Sequence, residues 1–277
     1  MEIKGVLIAI GGNEDKGIKR KQLHVPEGEH SFFTSGILYR VVSEMKDPAL
    51  PIEVITTASS IPQTTSRNYA RAFQKLGCKN VQFLHPETKE EADAPEILDR
   101  ISKAACLMFS GGDQFKLASI FKGTQCAKII NERYKNDYFI IAGTSAGAMA
   151  MPDLMIYPAV SGESREVLLY EGLSLIHEVL IDTHFLVRGR FRRLAMAVAN
   201  EPQYLGIGLE EDTGIIIRGG NRIETIGSGL VTIIDGRKIQ ESNTTVHHSE
   251  HDIFIENLLV HVLSHGNNFT LRNKKIS

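Results

Sequence analysis

Short apolar runs rich in β-branched residues alternate with stretches of helical periodicity through the first two thirds of the chain. Val6–Ile10, Ile52–Thr56, Val81–Leu84, Ala105–Phe109 and Tyr138–Ile141 read as strands, apolar on both faces as the centre of a covered parallel sheet requires. Between them, Phe32–Glu44, Asn68–Leu76 (closed by Gly77), Glu96–Ser102 and Leu117–Arg133 carry helical spacing. A polar stretch runs from Gly11 to about His30. Strands alternating with helices predict an α/β fold, mainly a parallel sheet flanked by helices.

The texture changes after residue 200. Gly206–Leu209, Gly214–Ile217, Arg222–Ile226 and Leu230–Ile234 are short, closely spaced and separated by turns such as Asp235-Gly236. They predict extra antiparallel strands in the C-terminal third, added at one edge. Ile253–Leu263 has the spacing of a final helix. No repeat, low-complexity segment or linker interrupts the pattern, so a single domain over residues 1–277 is expected.

Charge removes several classes of partner. Against 31 Lys and Arg stand 33 Asp and Glu, a formal net charge of −2, with no footprint for nucleic acid or an anionic membrane. The apolar run near the N-terminus is only Val6–Ile10, too short for a signal peptide, and nothing approaches a membrane span. Cys78, Cys106 and Cys126 are scattered and odd in number, which suits a reduced, cytoplasmic protein. His247, His248, His251, His261 and His265 include helical i,i+4 pairs, but no cysteine or carboxylate set completes a metal site. No metal and no cofactor are expected. Gly11-Gly12 lacks the third glycine of a dinucleotide fingerprint and reads as a tight turn. The basic run Lys16–Lys21 reads as a solvated loop.

The strongest chemical signal is Gly143-Thr144-Ser145-Ala146-Gly147, directly after an apolar strand. G-x-S-x-G at a strand-to-helix turn pushes the serine hydroxyl out at the strand's C-terminal end and aims the next amide at the carbonyl under attack. A serine needs a base, and Ile181-Asp182-Thr183-His184 ends the apolar strand Val179–Ile181 just before Arg188, Arg190, Arg192 and Arg193. Further on, Gly206–Leu209 ends in Glu210-Glu211-Asp212, any of which could orient an imidazole. The order Ser, His, acid differs from the Ser, acid, His of α/β-hydrolases.

These blocks, with Ile10-Gly11-Gly12-Asn13-Glu14-Asp15-Lys16 and Ser110-Gly111-Gly112-Asp113-Gln114, resemble in order the serine peptidases of the cyanophycinase and peptidase E family. The resemblance covers most of the chain. It implies a class-I glutamine-amidotransferase-like (flavodoxin-like) sheet, Ser145 as nucleophile, His184 as base and Glu211 as orienting acid. It also implies an oxyanion hole from the amides of Gly112 and Ala146. Asp113, Gln114, Asp182, Thr183, Arg188, Arg190 and Arg193 become candidate substrate-binding residues, and a homodimer is expected.

The substrate implied is cyanophycin, a polyaspartate with arginine on each β-carboxyl, cut to β-Asp-Arg dipeptides. Each arginine arm presents an α-carboxylate that a guanidinium fork could grip. Thr183 stands where the resemblance leads one to expect Gln, a departure that bears on specificity. An Asp-X or isoaspartyl dipeptidase, and a non-catalytic member that binds β-linked peptides, are the alternatives.

Overall fold

The computed structural model describes residues 3–17, 32–158, 167–244, 253–271 and 275–276. In chain order the strands are β1 (Val6–Ile10), β2 (Ile52–Ile55), β3 (Val81–Leu84), β4 (Cys106–Phe109), β5 (Ile140–Thr144), β6 (Leu154–Pro158), β7 (Val167–Glu171), β8 (Val179–Thr183), β9 (Leu205–Leu209), β10 (Thr213–Arg218), β11 (Arg222–Gly227), β12 (Val231–Asp235), β13 (Leu259–Leu263), β14 (Asn268–Thr270) and β15 (Lys275–Ile276). The helices are α1 (Ile37–Ser43), α2 (Pro62–Lys75), α3 (Lys89–Ala92), α4 (Pro95–Lys103), α5 (Gln114–Phe121), α6 (Gln125–Asn136), α7 (Ala146–Met149) and α8 (Phe191–Asn200).

The main sheet has the order β15-β14-β11-β10-β1-β5-β4-β2-β3. From β1 to β3 every pairing is parallel, and from β1 outward through β10, β11, β14 and β15 every pairing is antiparallel. The apolar runs explain the centre: β1, β2, β4 and β5 are buried along their whole length, as strands covered on both faces must be. A second sheet, β13-β12-β9-β8, pairs β8 and β9 in parallel, and β6 and β7 form a separate hairpin.

Several elements depart from the expected pattern. The helix foreseen over Leu117–Arg133 is two helices, because Gly123 takes φ +81° and the Thr124 side chain caps α6 by accepting from the Ala127 amide. The helix foreseen over Ile253–Leu263 is not one. Its apolar end is β13, paired in register with β12, so Leu259–Leu263 gains ladder bonds that an isolated helix would lack. Of the four late strands, only β10 and β11 extend the main sheet, whereas β9 and β12 belong to the second. That division matters, since the chain leaves one sheet at Leu209 and joins the other at Thr213, with the three adjacent acids at the crossing.

Candidate active site

The site lies where the C-terminal ends of β1 and β5 in the main sheet meet those of β8 and β9 in the second. Three successive carbonyls at the end of β1 fasten the incoming segments. The Ile10 carbonyl accepts from the Ser145 amide at 2.9 Å, the Gly11 carbonyl from the His184 amide at 2.9 Å, and the Gly12 carbonyl from the Asp212 amide at 2.8 Å.

Ser145 sits on a sharp elbow between β5 and α7 with φ 52° and ψ −114°. That conformation costs a non-glycine residue on the order of 1–3 kcal/mol. Its carbonyl offsets part of the cost by accepting from the Ala148 and Met149 amides. The elbow also requires bare neighbours. A Cβ on Gly143 would lie 2.7 Å from the Gly147 backbone, and one on Gly147 would lie 2.4 Å from the Phe109 carbonyl oxygen. This is the physical content of the G-x-S-x-G spacing.

The elbow presents Ser145 Oγ 3.0 Å from His184 Nε2. On the other side of the ring, His184 Nδ1 lies 2.7 Å from Glu211 Oε1. His184 is buried and also takes a positive φ, 50°, as the chain turns off β8. The adjacent acids diverge. Asp212 accepts from the Asp15 amide and the Ser228 hydroxyl, and Glu210 packs against Gly229. Glu211 is the acid of the three that meets the imidazole.

Gly111 borders the serine from the end of β4: a Cβ placed on it would come 3.3 Å from Ser145 Cβ. Gly112 takes φ +143° and presses against the Ala58 carbonyl so closely that no side chain fits. Among the described residues, the amides of Gly112 and Ala146 are not taken up by backbone acceptors.

The substrate-binding candidates fall in different places. Asp113 is exposed and caps α5, accepting from the Phe115 and Lys116 amides. Gln114 is buried, its side-chain amide donating to the Ile156 carbonyl. Thr183 is buried against Met149 Sδ. Asp182 is 0% exposed and gathers the arginines: Arg193 grips it with Nε at 2.8 Å and Nη2 at 2.5 Å, and Arg190 Nη1 reaches it at 3.1 Å while donating to the Thr183 carbonyl. Arg188 is exposed and forms no ion pair among the described residues.

A cleft of about 270 Å³ opens over Ser145 and His184, and its floor holds a carboxylate that sequence reasoning passed over. Glu14 is 2% exposed. Its Oε1 accepts from Tyr69 Oη at 2.5 Å and Lys16 Nζ at 2.8 Å, and its Oε2 accepts from Thr144 Oγ1 at 2.6 Å. Burial alone would push the Glu14 carboxyl up. The Lys16 charge and the three donors outweigh it, so the group titrates below the ordinary carboxylate range. Burial and the neighbouring Glu14 charge push the Tyr69 phenol up, which keeps it a donor. The signal available was position, an acid four residues beyond a central strand.

Other chemistry recedes. The three cysteines are free and buried, and burial raises the thiols of Cys78 to about 11 and Cys126 to about 12, which removes them as nucleophiles near neutral pH. Among the described residues no three His, Cys, Asp or Glu side chains gather as a metal site would need. His247, His248 and His251 lie outside the described residues, as do Lys19, Arg20 and Lys21. No helix among the described residues is long and apolar enough to cross a membrane.

Known proteins of one family resemble this chain. Residues 52–225 match the family model of peptidase family S51. The chain is 31% identical over 276 residues to the cyanophycinase of Trichormus variabilis, covering 99% of this chain and 88% of that protein. It is 34% identical over 221 residues to the cyanophycinase of Geminocystis herdmanii, 79% of this chain and 81% of that one. Among solved structures it resembles a peptidase from an acI-B1 actinobacterium, with TM-score 0.67 and 22% identity over 98% of each chain. A putative peptidase E from Listeria monocytogenes matches with TM-score 0.56 and 18% identity, over 81% of this chain and 99% of that one. At those identities the two structures speak for the fold.

Proposed function

Since this chain belongs to peptidase family S51 and is a serine-type peptidase of the cyanophycinase kind, we propose that it hydrolyses the aspartyl backbone of cyanophycin with a Ser145–His184–Glu211 triad, releasing β-Asp-Arg dipeptides. The observation that carries the triad is the line of contacts Ser145 Oγ to His184 Nε2 at 3.0 Å and His184 Nδ1 to Glu211 Oε1 at 2.7 Å.

The chemistry follows from those contacts. A carboxylate against Nδ1 makes that nitrogen the donor and leaves the Nε2 lone pair facing the serine hydroxyl. Ser145 Oγ attacks the aspartyl carbonyl as Nε2 takes its proton. The oxyanion that forms is received by the amides of Gly112 and Ala146, which among the described residues have no backbone acceptor to leave. The imidazolium, steadied by Glu211, returns the proton to the leaving amine. Water then enters by the same route in reverse and frees the acyl group from the serine.

Arg190 and Arg193 act in this reading as a cationic wall over Asp182, with the exposed Arg188 as its outer member. In this reading residues 1–277 form a single domain that works in the cytoplasm as a homodimer. Incubation with purified cyanophycin, and separately with Asp-X and β-Asp-X dipeptides, tests the substrate. β-Asp-Arg released from the polymer, identified by mass, is the expected product. Dipeptide cleavage with the polymer left intact would assign a dipeptidase instead.

A further inference from the structure

Lys16 has a position that the triad does not explain. It lines the cleft with Ser145 and His184, and none of Arg188, Arg190 and Arg193 lines it. Among the described residues it is the cleft's one Lys or Arg. Its ammonium is held from two sides, by Glu14 Oε1 at 2.8 Å and by the Tyr69 ring, whose centroid lies 5.0 Å away. Glu14 in turn holds Thr144, the residue before the nucleophile, at 2.6 Å. One buried carboxylate therefore fixes both the serine's elbow and the cleft's cation.

The ammonium is held without being used up. Lys16 keeps 23% of its side chain exposed while Glu14 keeps almost none, and Lys16 lines the cleft. An ammonium carries three donors, and one goes to Glu14. The aromatic face and the carboxylate also remove most of the rotamer freedom that a lysine would otherwise lose on binding a ligand. A fixed cation beside a serine nucleophile suits an anionic group on the substrate.

We propose that Lys16, set in place by Glu14 and Tyr69, is a specificity-determining residue that binds the arginine-arm carboxylate of the unit being cut. The proposal rests on the cyanophycin reading, because that carboxylate is the one anionic group each internal unit of the polymer carries. Lys16 takes this part because the forks of Arg190 and Arg193 are turned onto Asp182.

Binding to the Ser145→Ala protein separates this role from turnover. The ligands are a short β-Asp-Arg oligomer with free arm carboxylates and the same oligomer with those carboxylates amidated. By titration calorimetry the free acid should bind about tenfold tighter, the low end for hydrogen bonds to a charged group. Adding Lys16→Met should abolish that preference, and adding Lys16→Arg, which keeps the charge and its pairing with Glu14, should restore it. A preference that survives Lys16→Met, or no preference in Ser145→Ala itself, overturns the role of Lys16. Failure of the unmutated protein to cleave cyanophycin would instead sink the substrate reading, and the two results are read in separate experiments.

Discussion

Gly12 lies flat against the imidazole of His184: a Cβ at Gly12 would fall 2.4 Å from Cε1 and 2.5 Å from Nε2. The glycine also has φ +103°, a conformation that side chains disfavour. Gly12 is thus part of the surface that sets the ring between Ser145 and Glu211.

Gly12→Ala should therefore displace the ring. Both the strain and the overlap act at the base, so kcat should fall by about a hundredfold or more, as expected when a reacting group is misplaced by about an ångström. Thermal unfolding should change far less than activity. Unaltered kcat in a folded Gly12→Ala protein would mean that the ring is positioned by something else.

The two adjacent glutamates give a sharper contrast. Glu211→Gln removes the charge against His184 Nδ1 and permits the wrong tautomer, so kcat/KM should drop by roughly 10³–10⁴. Glu210 is turned toward Gly229, and Glu210→Gln should cost less than tenfold. Steady-state kinetics of the two variants decides the assignment, and a more severe Glu210→Gln would reverse it.

Much of this was legible in the sequence, and what was not has physical reasons. The parallel centre followed from strands apolar on both faces, and the elbow from a spacing that only small residues satisfy. The late strands were readable as strands, but their division between two sheets depends on long-range pairing such as Val231 with Leu209. The Ile253–Leu263 spacing fits a helix until β12 offers a partner. Asp182 is a candidate substrate contact through the family resemblance. The burial that turns it toward Arg190 and Arg193 is a tertiary fact. The end of β1 reads as a tight turn, and what the sequence does not show is that its carbonyls hold three distant segments at once.

Asp182→Asn should destabilise the fold. The carboxylate is fully buried and holds two guanidinium groups that are themselves mostly covered. Removing its charge leaves those cations without a counterion, at a cost of about 3 kcal/mol. Urea unfolding of the variant should show the loss as a lower midpoint. An unchanged midpoint would mean that solvent or substrate, rather than Asp182, balances the arginines.

Glu14→Gln should cost about 2 kcal/mol near neutral pH, because the partly exposed Lys16 loses its partner while the hydrogen-bonded shape is nearly kept. The pH dependence has a definite sign. A carboxyl whose pKa is depressed by folding contributes stability in full above its ordinary unfolded value, and loses it as pH falls through the folded one. The gap between the native and Glu14→Gln proteins should accordingly be constant at neutral pH and close below about pH 4. A gap that persists unchanged into acid would place the effect in packing rather than charge.

Covalent labelling tests most directly whether Ser145 is the nucleophile. A serine-directed phosphonylating reagent, with the adduct located by peptide mass mapping, should modify Ser145 alone and abolish cyanophycin cleavage in step with labelling. His184→Ala should slow that labelling by orders of magnitude, since in the proposed mechanism Nε2, 3.0 Å away, takes the hydroxyl proton. An adduct on another residue accompanied by loss of activity, or cyanophycin cleavage retained by Ser145→Ala, would contradict it.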